Sequence, residues 1–229
     1  MKAWLSITFM VVISSLYANS QTDTALVDVN FKFTDGLYSD VTSLRANRPD
    51  QLFNTLAGNL ILKEEEYLLK VETLHPQGRP DLPIVLDEIA FIVVNGLPYV
   101  QAYQDSARQY TVYSGLRVRG KLCYFAFAQN QPDTILIKAY NPVTGRPFRQ
   151  SNVVRDREEV VEKVLNLQNG EIVDYNIDNL LVLFAEDPAL VKSLSNLSPE
   201  EAEERLQKVL LIYDDRHPIY LPVAQPTNN

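Results

Sequence analysis

A single cysteine, Cys123, stands in a chain of 229 residues. No intramolecular disulfide can form, so any fold must be held together by buried apolar surface. The constraint is sharper because the first residues predict export. Lys2 gives a positive start, Ala3 to Ile13 is apolar apart from Ser6 and Thr8, and Ala18-Asn19-Ser20 offers small residues where a signal peptidase cuts. That apolar run falls short of the roughly twenty residues a membrane-spanning helix needs. The reading is a signal peptide over residues 1–20. The mature chain then starts near Gln21, works in the periplasm or outside the cell, and has no transmembrane helix. No cysteine follows the signal region, which predicts no lipid anchor.

The mature chain has the means to build a core. Hydrophobic residues make up 46 % of the sequence and charged residues 22 %, a balance that separates it from disordered chains. The formal net charge is −8, with no cluster of Lys or Arg. Nucleic acids and anionic lipid surfaces both call for such clusters, so neither is an expected partner.

From about residue 25 to 148 the pattern predicts mainly antiparallel sheet. Val27, Val29, Phe31 and Phe33 alternate with polar residues, as in a half-buried strand. Asp40 to Asn47 predicts one or two helical turns with Val41 and Leu44 inward. Glu64-Glu65-Glu66 suits either an exposed helix face or a hairpin tip. Asn95-Gly96, between two apolar runs, predicts a tight hairpin because both residues tolerate positive φ. A second hairpin is expected at Gly120-Lys121. Its return arm, Leu122 to Ala128, is apolar on both faces and so reads as a central strand. Cys123 lies in that run, which predicts a buried, inert thiol.

After about Asn152 the period reads as helical. Val160, Val161, Val164 and Leu165 fit one stripe, with Asn169-Gly170 as a stop; Ile177, Leu180, Leu181 and Phe184 fit a second. Asp187-Pro188 and Ser198-Pro199 each place a capping acceptor before a proline, and Ser198 with Glu201 makes a capping box. The predicted class is therefore α+β. A single domain over residues 21–229 carries a β-rich part (25–150), a helical C-terminal region (about 153–216) and an extended tail (217–229).

Catalytic signatures are absent from the sequence: no nucleophile elbow, no phosphate loop, no dinucleotide fingerprint. The two histidines, His75 and His217, lack ligand spacing, so neither a metal nor a cofactor is expected. Asp214-Asp215-Arg216-His217 is the densest polar cluster. It can be read as a base with an anion clamp, or as cations placed at the negative end of the last helix. Tyrosines concentrate in the sheet, where a rigid ring with a polar tip suits recognition. Tyr113, Arg117 and Arg119 share one face of an expected strand and are the candidate ligand- or partner-binding residues.

Two short patches carry a resemblance. Gly36-Leu37-Tyr38 followed by Leu44 and Asn47-Arg48-Pro49, together with Arg216-His217-Pro218-Ile219-Tyr220-Leu221-Pro222 at the end, resembles uncharacterised exported proteins of Bacteroidota. The resemblance implies an envelope location and no activity, and its glycine and prolines read as structural. The functional expectation is a non-catalytic binding module of the periplasm or cell surface, taking another envelope protein or a small ligand. The rival is a hydrolase acting on envelope polymers through paired carboxylates.

Overall fold

The computed structural model describes residues 23–140 and 142–223; the predicted signal peptide and its cleavage site lie outside the described residues. Seven strands form one antiparallel sheet: β2 (Gly36–Tyr38), β3 (Gln51–Leu52), β4 (Leu56–Lys63), β5 (Leu68–Pro76), β6 (Phe91–Val94), β7 (Leu97–Asp105) and β8 (Tyr110–Gly115), in the order β3-β2-β6-β7-β8-β5-β4. The expected hairpin at Asn95-Gly96 joins β6 to β7, with φ of 56° and 75° at its two turn residues. The acidic triplet is a hairpin tip: Glu64–Glu66 forms one 3-10 turn between β4 and β5, closed by Tyr67 in the left-handed region. The short helix α1 (Val41–Arg45) also forms as predicted. Asp40 accepts from the Ser43 amide at 2.8 Å, and Leu44 is fully buried.

A second sheet contains β9 (Leu122–Tyr140), β10 (Pro147–Asn166) and β11 (Ile172–Asp174), in the order β11-β10-β9. The strands β9 and β10 make one long hairpin, paired from Leu122 opposite Asn166 out to Tyr140 opposite Pro147. Helices α2 (Ile177–Leu183), α3 (Pro188–Ser195) and α4 (Pro199–Arg216) follow, with the predicted caps at Asp187 and Ser198 in place. Finally β12 (Tyr220–Pro222) pairs with β1 (Thr24–Leu26).

The expected α+β class is therefore corrected: the fold is mostly β, with 45 % strand against 23 % helix. The helical region does not begin at 153, because residues 147–166 are strand. The reason lies in Val164 and Leu165. As successive strand residues they point to opposite sides: Leu165 joins the core of the seven-stranded sheet, while Val164 joins the core beneath α2–α4. A helical stripe would have buried both on one side, and the valine-rich run suits a pleated surface better. Asn169-Gly170 accordingly lies in the turn between β10 and β11, where the Gly170 amide donates to the Asn166 carbonyl at 2.8 Å and Gly170 takes a φ of 82°.

Two further expectations change. Residues 27–33 are not a strand: Asp28 accepts from the amides of Asn30 and Phe31, which turns the chain, so Phe31 and Phe33 are buried while Val29 is exposed. The strands β8 and β9 do not form a hairpin ladder. They belong to different sheets, although the chain does turn back at Gly120-Lys121: beyond the end of β8 the Arg117 amide donates to the Tyr124 carbonyl at 2.8 Å, and the side chains of Ser114 and Arg117 donate to the Ala126 carbonyl at 3.0 and 3.3 Å. β9 is the edge strand of its sheet rather than a central one, but its base is buried on both faces, which is what the two-sided apolar run reflects. Cys123, Phe125 and Phe127 enter one core, Leu122 the other. The Cys123 thiol is buried and held well above its ordinary range, at about 12, by that burial, so it is not a nucleophile at neutral pH.

The two patches that carry the resemblance meet in space. Asn47 donates from Nδ2 to the Pro222 carbonyl at 2.9 Å, and a Cβ at Gly36 would fall 2.5 Å from Pro49 Cβ. Both patches are structural: they join the start of the fold to its end.

Candidate functional site

The three residues singled out by the sequence do not converge. Tyr113 is completely buried in the core, where its hydroxyl donates to the Leu86 carbonyl at 3.2 Å, and burial raises its pKa. Both faces of β8 are covered, so no outward tyrosine face exists on that strand. The strand also ends at Gly115, which puts Arg117 and Arg119 beyond it rather than on its face. Arg119 is partly buried and donates to the carbonyls of Val29 and Phe31, pinning the turn of residues 27–33; burial lowers its pKa. Arg117 is the exposed member of the three, with its guanidinium 5.5 Å from the centre of the Tyr67 ring.

Arg117 opens onto a groove of about 690 Å³ between the seven-stranded sheet and the base of the long hairpin. One wall comes from β5 and the turn between β7 and β8. There Lys70 sits 4.8 Å over the Tyr110 ring, and Arg108 donates to the Tyr110 hydroxyl at 3.2 Å. Gln109 takes a left-handed φ of 56°, which makes the turn tight enough to bring Arg108 back beside Tyr110. The other wall is the hairpin itself, with Asp156, Glu158 and Val160 on β10 opposite Asn130 and Ala128 on β9. The walls are joined by Tyr103, whose hydroxyl donates to the Ala128 carbonyl at 3.2 Å while its ring lies 5.7 Å from that of Phe127.

The electrostatics of this groove are two-sided. Among the described residues Lys70, Arg108 and Arg117 have no carboxylate within ion-pair distance, whereas Glu66 on the same wall is taken up by Lys63 at 2.9 Å. The hairpin wall presents Asp156 and Glu158, also without ion pairs among the described residues. A groove with cations that no carboxylate neutralises on one side and carboxylates on the other, around tyrosine rings, is suited to a polypeptide segment carrying both signs. A polyanion would meet the carboxylate wall at close range.

The polar cluster near the chain end has a different role. Arg216 pairs with Asp187 at 3.0 Å, and His217 stacks on Tyr213 with ring centres 4.4 Å apart. Arg216, followed by the Leu190 amide, holds the Asp187 carboxyl below its usual range. Arg216 thus clasps the cap of α3 instead of serving an open site. Asp214 points the other way, accepting from the Leu122 amide at 2.9 Å, while its Oδ2 is buried without a partner against Gly120. Among the described residues no group of His, Cys, Asp and Glu is placed to hold a metal ion.

Sequence reasoning missed Lys70 and Arg108, and took in Tyr110 only as one of the tyrosines of the sheet. Lys70 and Tyr110 stand 40 positions apart and meet only because β5 pairs with β8, a register that no local pattern announces. No known protein family, curated protein or solved structure matches the chain. No helix among the described residues is long and apolar enough to cross a membrane.

Proposed function

We propose that this chain is an exported, non-catalytic recognition module that binds a segment of another envelope protein in the groove at the base of the long hairpin. The observation that carries this reading is the set of three cations, Lys70, Arg108 and Arg117, that ring Tyr110 and Tyr67 without carboxylate partners among the described residues. Cations that no carboxylate neutralises are available to the acidic groups of a partner, and Tyr and Arg are the residue types that dominate binding hot spots. Export itself rests on the pattern of residues 2–20.

The test is recovery of envelope proteins by the tagged chain after crosslinking, compared with the variant carrying Lys70→Glu and Arg117→Glu. The expected result is one protein recovered in near-equal amount by the parent and at least tenfold less by the variant, corresponding to a loss of about 1.4 kcal/mol or more. Equal recovery by both would remove the groove from the interaction. Both positions are on the surface or part-buried rim, so the variant is expected to fold with an unchanged circular dichroism spectrum.

A further inference from the structure

From Ala128 to Tyr140 and back from Pro147 to Val160, the long hairpin leaves the body of the protein as a two-stranded arm. At the spacing of an antiparallel strand it extends about 40 Å. Every residue from Arg149 to Val160 with a described side chain is exposed, including Val154 at 63 %, and Leu136 on β9 is 53 % exposed. Isolated two-stranded hairpins are marginal in water, and a long bare edge is a template for another strand. The edge in question is the outer edge of β10. There β11 covers Lys163–Leu165, and the Tyr175 amide takes the Glu162 carbonyl. From Val161 back to Pro147, β10 pairs with β9 alone among the described residues. Glu162 and Asn166 direct their backbone groups outward, so the even-numbered residues from Gln150 to Val160 do the same.

We propose that this edge is the contact between two copies of the chain, with β10 of each copy pairing antiparallel about a two-fold axis at Val154. Two features of the sequence select that register. The open edge runs from Pro147 to Val161, and its midpoint is Val154. A two-fold axis normal to the sheet keeps each face on its own side, so only residues of equal parity can stand opposite one another. About Val154, Arg149 then faces Glu159 of the second copy, Gln150 faces Glu158, Ser151 faces Arg157 and Asn152 faces Asp156. No like charges are opposed. An axis one residue earlier sets Arg149 against Arg157, and one residue later sets Arg155 against itself. Opposite charges directly across strands stabilise pairing and like charges oppose it, so the alternatives are penalised. Arg149 and Glu159 have no ion-pair partner within the chain among the described residues, which leaves both available across the axis.

The mass of the mature chain by size-exclusion chromatography with light scattering tests this. The expected result is a dimer whose dissociation constant rises about tenfold on Arg149→Glu and about tenfold on Glu159→Arg. An equimolar mixture of the two variants should regain the parental affinity, because each mixed pair again sets opposite charges together at both ends of the axis. A monomer at every concentration, as would follow if the edge serves a different protein, overturns the proposal. So does a dimer indifferent to both substitutions, or a mixture that binds no more tightly than either variant alone. The groove reading has its own test on Lys70 and Arg117, so either can fail without the other.

Discussion

Replacing Asn47 by Ala is expected to cost about 3–5 kcal/mol of folding stability. Asn47 is 7 % exposed and its backbone is in the left-handed region, at φ 49°. Its Oδ1 accepts from the Thr34 amide at 2.7 Å, its Nδ2 donates to the Pro222 carbonyl at 2.9 Å, and its own carbonyl accepts from Thr34 Oγ1 at 3.2 Å. Truncation orphans a backbone amide and a backbone carbonyl in partly buried surroundings, each worth about 1–3 kcal/mol. It also leaves an alanine in a conformation that asparagine tolerates and alanine does not. Asn47→Asp is the diagnostic companion. It keeps the acceptor for Thr34 and loses the donor for Pro222, so it should fall between the parent and Asn47→Ala. Urea unfolding midpoints at constant slope would order the three. Equal stability of Asn47→Ala and the parent would show that the junction between the start and end of the chain contributes nothing.

The second large effect depends on pH. Burial, set only partly back by the hydrogen bonds from the Leu122 and Lys121 amides and by the Lys121 charge, pushes the Asp214 carboxyl up from 3.8 to about 7. The residue as a whole is only half-buried, but its Oδ2 is fully enclosed against Gly120 and has no partner. A carboxyl whose folded pKa lies above its unfolded value binds its proton more tightly in the folded state. Its contribution to stability is therefore fully present below pH 3.8 and is lost as pH rises through about 7. The loss across that window has an upper bound of about 4 kcal/mol. Asp214→Asn keeps the acceptor for the Leu122 amide and cannot ionise. The variant should match the parent near pH 4 and exceed it by as much as that bound at pH 8. The other perturbed groups nearby do not confuse the window, since the Cys123 thiol at about 12 and the raised Tyr213 hydroxyl titrate above it. Parallel stability profiles for parent and variant would contradict the burial of Asp214.

The elements that could be read in the sequence are those fixed by neighbours in the chain. The Asn95-Gly96 hairpin, the helix after Asp40, and the caps at Asp187 and Ser198 all depend on side chains within four residues of the backbone they serve. What misled was periodicity without context. Val160, Val161, Val164 and Leu165 satisfy a helical stripe on paper, yet at the base of the hairpin both faces of a strand are covered, so consecutive apolar residues are equally compatible with β structure. The same double coverage hid the site. Tyr113 looked like an outward residue, and it is buried because the segment around Leu86 and Ile89 packs over that face of β8. Arg119 looked available, and it is spent on the carbonyls of Val29 and Phe31, in a stretch that looked like a strand. Arg117 alone of the three reached the groove, and the residues that complete it come from β5 and the turn of β7–β8, whose meeting depends on long-range pairing.

A photo-crosslinking amino acid placed at Arg108 reports directly on recognition through the groove, with the same group at Val182 on the exposed side of α2 as the comparison. Val182 is 74 % exposed and lies on the helical side of the molecule, outside the groove. The expected result is a crosslinked partner from position 108 in the native envelope and none from position 182. Crosslinks from 182 alone, or equally from both, would contradict it.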